Sequence, residues 1–307
     1  MLHGAIVVDK PGGMTSHDVV AGARRALGTR SIGHAGTLDP MATGVLVLLV
    51  GEALKLSGYV TSDAKRYVAR VAFGRSTDSD DATGATREER ELSLGWLDAQ
   101  RFFDAIQAET ARTLQVPPSV SAIHVAGERA HRLSRKGQAP ELAPRAVRVE
   151  ELRAIDFDDQ GARFELRVSK GYYVRALARD LGAALGVPAH LAELRRIASG
   201  RFSLEDANPW PLPASPELVP LLETAKRSIP LLELNAEGAR RASLGQSLDA
   251  NHLVEAFPAS ATEAETFALW AGEGALVALE IGTRKDFAAL SRSVVNGWRT
   301  CKDPAVM

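Results

Sequence analysis

Apolar residues recur in two distinct patterns along the chain, one typical of strands and one typical of helices. Short apolar or alternating runs bounded by turn residues predict strands. These runs lie at residues 6–8, 45–50, 67–73, 147–157 and 164–168, and the last two are expected to pair around a turn at residues 158–161. The pattern therefore predicts a sheet assembled from all parts of the first two hundred residues.

Apolar residues at helical spacing predict three helices between these strands. The first is expected to begin with a cap at Thr15 or Ser16 and to end at Gly28, and the others span residues 96–114 and 173–185. Strands and helices are intermixed without a strict strand–helix–strand order. The sequence therefore predicts an α+β fold with a mixed sheet.

Five prolines between residues 209 and 220 mark the best candidate for a connector, because prolines disrupt helices and central strands. We expect a domain over residues 1–229 and a smaller, β-rich domain over residues 230–307. In the smaller domain, a helix is predicted at 236–244 and strands at 266–270 and 275–281.

The composition of the 307 residues is that of an ordinary soluble protein, with 45% hydrophobic and 24% charged residues. Cys301 is the single cysteine, which excludes an intramolecular disulfide framework and fits a reducing cytoplasm. The N-terminus has no basic, apolar leader, and no apolar run reaches the length of a membrane span. These features predict a cytoplasmic protein without a membrane anchor.

Charge is nearly balanced overall, at −1, but it is not evenly distributed. Residues 120–200 carry 14 basic and 10 acidic side chains, whereas residues 230–307 carry 7 and 10. A local excess of basic residues is a weak indication of a polyanion-binding surface, and it is equally typical of a solvated charged face. Charge alone leaves both interpretations open.

The segment most suggestive of chemistry is residues 33–44, Gly-His-Ala-Gly-Thr-Leu-Asp-Pro-Met-Ala-Thr-Gly, which precedes an apolar strand. Its pattern predicts a loop that presents Asp39 and His34 on a rigid support, and Pro40 restricts the backbone of Asp39. An Asp-Pro step in a loop is also a common turn. The glycine spacing fits neither the P-loop nor the dinucleotide-binding fingerprint.

This loop closely resembles the catalytic motif of the TruB family of tRNA pseudouridine synthases. Further segments match the family in the same order, so that the resemblance covers roughly residues 4–205. They are the Lys-Pro motif at residues 9–16, the tyrosine motif at 65–67, the start of an RNA-binding insertion at 116–122, the arginine motif at 169–175 and the Leu-Arg-Arg segment at 190–196. Residues from about 229 onwards show a weaker similarity to a PUA domain, a small RNA-binding barrel.

The resemblance implies a mixed, mainly antiparallel catalytic sheet flanked by helices, with an insertion at about residues 120–150. It implies isomerisation of uridine to pseudouridine at position 55, in the T loop of tRNA, with no metal and no cofactor. We expect tRNA to be the partner of a monomer that needs no obligate protein partner.

The resemblance also assigns the catalytic residues. Asp39 is expected to be a nucleophile or an electrostatic stabiliser at the sugar, and it can also accept a proton. Arg175 is the expected partner of Asp39, because a guanidinium stays charged and pairs with a carboxylate. Tyr67 is expected to stack on the target base.

Further residues are implied to bind the substrate, since a base in folded RNA must leave its stack before its sugar is accessible. By analogy with the family, His34 would stack within the reshaped T loop. Lys10, Tyr173 and Leu194 would lie near the active site, with Leu194 lining its pocket. Each of these residues also has a purely structural interpretation.

The insertion departs from the family pattern, because Val120, His124 and His131 stand where two tyrosines and a lysine are usual. Cationic residues nevertheless follow at helical spacing and could contact phosphates. They are Arg129, Arg132, Arg135 and Lys136. Of these we single out Arg132 and Arg135 as substrate-binding residues.

Three alternatives remain beside this hypothesis. The chain could bind or fold RNA without catalysis, although Asp39, Tyr67 and Arg175 are intact. It could be a guide-RNA-dependent relative, although the long basic extensions of that type are absent. It could also be an unrelated α+β enzyme if all the motif matches are coincidental.

Overall fold

The computed structural model describes residues 2–62, 64–120, 124–125, 128–129, 142–244, 246, 248–255, 268–271 and 275–278. The strands are β1 (Gly4–Lys10), β2 (Ile32–Ala35), β3 (Thr43–Val50), β4 (Lys65–Phe73), β5 (Arg75–Thr77), β6 (Thr86–Glu89), β7 (Leu114–Gln115), β8 (His124–Val125), β9 (Glu128–Arg129), β10 (Arg145–Ala146), β11 (Val149–Asp158), β12 (Gly161–Val168), β13 (Ala189–Ser199), β14 (Phe202–Ser203), β15 (Ala207–Asn208), β16 (Val219–Pro220), β17 (Leu231–Leu234), β18 (Ala268–Ala271) and β19 (Ala275–Ala278). The helices are α1 (Ser16–Ala26), α2 (Ser57–Ser62), α3 (Ala99–Thr110), α4 (Val174–Leu185), α5 (Leu221–Lys226) and α6 (Ala236–Ser243).

One large sheet organises the molecule, with its main strands in the order β11-β12-β4-β13-β3-β1-β15. Most neighbours are antiparallel, and the parallel pairs are β13 with β3 and β1 with β15. Helices pack against this sheet, so the expected α+β class with a mainly antiparallel sheet is confirmed.

Apolar side chains cover both faces of the central strands. On β1, Ile6 and Val8 join one core, which also includes α1, α3 and α4, whereas Ala5 and Val7 join a second core on the opposite face. The alternation follows from the two-residue period of a strand. A continuous apolar run such as residues 45–50 is the pattern of a strand covered on both sides.

The local signals at the helix ends are confirmed. Thr15 caps α1 by accepting from the backbone N–H of Asp18, whose carboxylate accepts from Thr15 in return. Asp98 caps α3, which is shorter than the predicted 96–114. Helix α4 ends at Gly186, whose φ of 75° is the left-handed conformation that glycine adopts readily.

The expectation that residues 33–44 form a loop is wrong for its first part. Residues Ile32–Ala35 form β2, an antiparallel neighbour of β3. Ile32 and Ala35 are buried. A strand of only four residues shows no clear alternation in the sequence, and it is stabilised here by its hydrogen bonds to β3. The actual loop before β3 is therefore confined to residues 36–42.

The proline-rich segment is tied to the sheet at both ends. Strand β15 pairs in parallel with β1 at Val7 and Val8, and β16 pairs with β1 at Gly4 and Ala5. The side-chain amide of Asn208 donates to the carbonyls of Val7 and Glu217, which joins these pieces. The flanking strands thus complete one edge of the large sheet.

The chain beyond this segment contains α6 and the three-stranded sheet β17-β18-β19 among the described residues. The helix and the strands β18 and β19 were predicted, whereas β17 was not. Leu232, Leu234 and Leu253 belong to the same apolar cluster as Leu221 and Ile229. The boundary at residue 229 and the PUA-like character of residues 230–307 stay predictions. No helix in the described ranges is long and apolar enough to cross a membrane.

Candidate active site

The centre of the site is an ion pair between Arg175, on the first turn of α4, and Asp39, in the loop before β3. The guanidinium donates two hydrogen bonds to the two carboxylate oxygens, from Nε to Oδ2 at 2.9 Å and from Nη2 to Oδ1 at 3.0 Å. The Arg175 side chain is 5% exposed and that of Asp39 is 30% exposed. Such a two-point contact fixes the orientation of a carboxylate that still faces solvent.

The loop that carries Asp39 is fixed through its backbone on the N-terminal side of the aspartate. The Ser16 hydroxyl donates to the carbonyl of Leu38 at 3.2 Å and accepts from its N–H at 2.9 Å. The Arg196 guanidinium donates to the carbonyls of Gly36 and Thr37. These contacts come from α1 and β13, so the position of Asp39 depends on the assembled sheet.

Lys10, at the end of β1, is completely buried rather than solvated. Its ammonium donates to the carbonyls of Pro11, Met14 and Pro40 at 2.9, 2.7 and 3.2 Å. Burial lowers the pKa of Lys10 to about 8, an effect that the nearby Asp39 opposes and Arg196 reinforces. Lys10 therefore fixes the chain after Asp39 from beneath, and it does not line the cavity described below.

Arg175 is itself held by a second set of partners. Its Nη1 donates to the carbonyls of Ser79 and Val120, each at 2.9 Å. The buried carboxylate of Asp81 lies 3.7 Å from Nε of Arg175 and accepts hydrogen bonds from Ser79 and Thr83. Arg175 thus stands between two carboxylates, one buried and one facing the cavity.

A cavity of about 250 Å³ opens above Asp39. Tyr67, Tyr173, Leu194 and Arg175 line it, so the structure places these predicted site residues around the aspartate. Tyr67 and Leu194 come from β4 and β13, which are adjacent antiparallel strands. The walls of the cavity are therefore built on the rigid sheet, which is the arrangement expected of a site that must be preorganised.

The wall at the start of α4 is supported by buried polar contacts. Gln115 binds the backbone of Tyr173 at two points, accepting from its N–H at 2.8 Å and donating to its carbonyl at 3.2 Å. The adjacent Tyr172 donates its hydroxyl to the buried Glu109 at 2.8 Å. Burial raises the pKa of both Glu109 and Tyr172.

His34 lies on β2, outside the lining of the cavity. Its Nδ1 is buried and has no hydrogen-bond partner within the described part of the chain. Burial lowers the pKa of His34, and the positive charge of Arg196 acts in the same direction. The imidazole is thus favoured in its neutral form, which suits stacking, although its role with RNA stays a prediction.

Two predicted substrate-binding residues, Arg132 and Arg135, lie outside the described residues. Other residues of the site were given no role in the sequence analysis, although three of them fall inside its motifs. They are Ser16, Lys65, Asp81, Gln115 and Arg196. The contacts of Ser16, Gln115 and Arg196 join distant segments, so local spacing carries no signal for these three.

Comparison with known proteins shows the family of the chain. Residues 24–174 match the family described as TruB family pseudouridylate synthase (N terminal domain), and residues 175–210 match the tRNA pseudouridylate synthase B C-terminal domain. A protein named tRNA pseudouridine synthase B from Mycolicibacterium paratuberculosis is 45% identical, over 89% of this chain and 94% of the relative. A protein of the same name from Thermobifida fusca is 44% identical, over 81% and 87% of the two chains.

The fold has solved counterparts as well. A Cbf5-Nop10-Gar1 complex contains a chain that superposes with a TM-score of 0.70 and 22% identity, covering 98% of this chain and 84% of that one. An H/ACA RNP bound to a substrate RNA containing 2'-deoxyuridine gives a TM-score of 0.71, with 21% identity, 98% coverage of this chain and 86% of that one. At these identities the likeness concerns the fold.

Fold, cavity and sequence relatives together define an enzyme of the pseudouridine synthase class. Within that class, the chain belongs to the TruB family.

Proposed function

We propose that this protein isomerises uridine to pseudouridine in tRNA, and that its target is position 55 in the T loop. The observation that carries the proposal is the pairing of Asp39 with Arg175 at the base of a cavity lined by Tyr67 and Leu194, in a chain of the TruB family. The position within tRNA rests on the resemblance of the motifs and on no contact of the structure.

The cavity is suited to a single nucleoside. Its volume of about 250 Å³ lies below the roughly 300–1,000 Å³ of pockets for drug-sized ligands. The uridine must therefore leave its stack and enter alone, with its base against Tyr67 and Leu194 and its sugar towards Asp39. Unstacking costs a few kcal/mol, which stacking on the tyrosine ring offsets.

The reaction needs few groups because it is an isomerisation. The bond between N1 of the base and C1′ of the sugar breaks, a bond from C5 to C1′ forms, C5 loses a proton and N1 gains one. Asp39 either attacks at the sugar or stabilises cationic character there, and its carboxylate can accept the proton. Arg175 keeps that carboxylate aimed into the cavity throughout.

Two alternatives are weaker on the present observations. A non-catalytic RNA-binding protein has no need of a solvent-facing aspartate clamped by a buried arginine. A guide-RNA-dependent enzyme is suggested by the solved counterparts alone, and they share 21–22% identity. The relatives at 44–45% identity carry the name tRNA pseudouridine synthase B.

The test is incubation of the purified full-length chain with unmodified tRNA transcript, without guide RNA or added protein, followed by mapping of pseudouridine. Modification at position 55 is expected, and a transcript with cytidine at that position serves as the matched control. An unmodified transcript, or pseudouridine only at other positions, contradicts the proposal. Repeating the assay in EDTA tests the expected independence from metals, and sizing the active species tests the expected monomer.

A further inference from the structure

Arg196 is a buried cation without a carboxylate partner. The residue is 1% exposed, and its hydrogen bonds go to the backbone carbonyls of Val45, Gly36 and Thr37. Among the described residues no carboxylate lies within ion-pair distance of it, whereas the adjacent Arg195 pairs with Asp9. Buried charges in proteins are normally paired with an opposite charge, and the described part of the chain supplies none for Arg196.

The side chain of a second basic residue passes the same glycine, and its ammonium donates to the carbonyl of Thr61 at 2.6 Å. Lys65, at the start of β4, is 6% exposed and lines the cavity together with Arg196. A β-carbon placed on Gly36 would lie 3.6 Å from Nη1 of Arg196 and 3.9 Å from Cε of Lys65. Gly36 has a φ of 93°, and its lack of a side chain leaves the space beside both cations open to the cavity.

The charge around this space is predominantly positive. Lys10, Lys65, Arg175 and Arg196 surround the loop of Asp39. Arg175 already pairs with Asp39 and Asp81. The positive charge of Arg196 also acts on its neighbours, since it contributes to lowering the pKa of Lys10 and of His34. An anion entering beside Gly36 would offset the positive charge of Arg196.

We propose that Gly36, Lys65 and Arg196 form a subsite for one phosphate of the RNA backbone, on the 5′ or the 3′ side of the uridine that enters the cavity. The inference rests on the proposed function. RNA carries one negative charge per nucleotide, so a base that enters the cavity brings its own phosphates to the cavity wall. A glycine at the contact lets the phosphate approach the backbone closely.

The experiment uses a synthetic T stem-loop RNA in which either phosphate next to the target uridine is replaced by a neutral methylphosphonate, with the two stereoisomers separated. KM and kcat are measured with the full-length parent protein, with Lys65→Met and with Lys170→Met. Lys170 is the matched control, because it lines the same cavity but is exposed and has no contact with Gly36. Circular dichroism and thermal unfolding verify that each variant is folded.

For the parent, we expect the methylphosphonate at one of the two linkages to raise KM about tenfold or more, as removal of a charge-assisted contact does. Lys65→Met should raise KM for the natural RNA by a similar factor. With that variant, the same methylphosphonate should add no more than about a further twofold, because both changes remove one contact. Lys170→Met should remain fully sensitive to the methylphosphonate.

Three results overturn the subsite. One is a parent enzyme insensitive to methylphosphonate at both linkages, a measurement that needs no variant. Another is full sensitivity remaining in Lys65→Met, and the last is a loss of sensitivity in Lys170→Met equal to that in Lys65→Met. In each of these cases the natural RNA is still modified, so the proposed function stands. If the parent modifies no RNA, the proposed function fails and this inference fails with it.

Discussion

The ammonium nitrogen of Lys10 lies 3.2 Å from the carbonyl oxygen of Pro40, the residue that directly follows Asp39. Lys10 thereby ties the catalytic loop to the end of β1, and the same ammonium donates to the carbonyls of Pro11 and Met14. A charged ammonium has three N–H donors for these three carbonyls, whereas the neutral amine has two. The loop geometry is therefore coupled to the protonation of a buried lysine.

The pKa of Lys10, about 8 in the folded protein against 10.5 for the free side chain, predicts a pH-dependent stability. Between pH 8 and pH 10.5 the Lys10 side chain is more protonated in the unfolded chain than in the folded one. The contribution of Lys10 to the free energy of unfolding therefore rises with pH over this range and falls as the pH drops towards 8. Comparing the unfolding free energy of the parent with that of Lys10→Met should show a difference that grows by up to about 3 kcal/mol from pH 8 to 10.5. The exposed Lys170→Met should show a flat difference, and a flat difference for Lys10→Met contradicts the prediction.

Asp39→Asn should abolish pseudouridine formation, because the amide removes the negative charge and the proton acceptor together. A decrease in single-turnover rate of at least about 10²–10⁴-fold is expected, with tRNA affinity little changed. Asp9→Asn is the matched control, since Asp9 is held by two hydrogen bonds from Arg195 but lies outside the cavity lining. Turnover by Asp39→Asn close to that of the parent would remove Asp39 from the mechanism.

Arg175→Met should affect both stability and activity. It leaves Asp39 and the buried Asp81 without the guanidinium between them, which costs about 3–5 kcal/mol when one member of a buried pair is removed. Arg195→Met breaks a half-exposed pair with Asp9 and should cost no more than about 1 kcal/mol. Chemical denaturation of both variants gives the comparison, and equal losses would contradict a special role for Arg175.

A chain of residues 1–229 is predicted to fold and to modify the T loop, because the residues assigned to the chemistry lie before residue 200. It should be less stable by about 3 kcal/mol or more, since Leu232 and Leu234 no longer contribute to the second core. Affinity for full-length tRNA should fall about tenfold or less, or roughly 1.4 kcal/mol. Single-turnover rates and affinities at one salt concentration test this. A truncated chain that is folded but inactive at saturating tRNA contradicts the prediction that residues 1–229 are sufficient for the reaction.

Helices and strands whose apolar residues recur at a clear spacing could be predicted from the sequence. The run at residues 45–50, the pair β11 and β12, and helix α4 with its terminal Gly186 all follow from local apolar spacing and turn residues. Strand β2 could not, because its four residues are ordered by pairing with β3. The register of β1 with β15 and β16 is likewise set between segments about two hundred residues apart.

The residues of the site also fall into those that could be predicted from the sequence and those that could not. Asp39, Tyr67 and Arg175 could be found because they stand in recognisable motifs, and the structure gathers them at one cavity. Ser16, Gln115 and Arg196 act on backbone groups of distant residues, through hydrogen bonds that any similar polar side chain could make elsewhere. Sequence reasoning therefore finds the reacting groups more readily than the groups that orient them.

The pairing of β1 with β15 and β16 has a consequence for synthesis of the protein. Strand β1 leaves the ribosome long before β15 and β16, yet its outer edge is paired by residues 207–208 and 219–220. Until those residues emerge, the nascent chain exposes an unpaired edge of the apolar run Ala5–Val8, which is the kind of surface that promotes association between chains. Arg175, 136 residues after Asp39, also emerges late. The growing chain thus lacks its catalytic pair until Arg175 has been made, and it lacks the paired outer edge of β1 until residues 207–220 have been made.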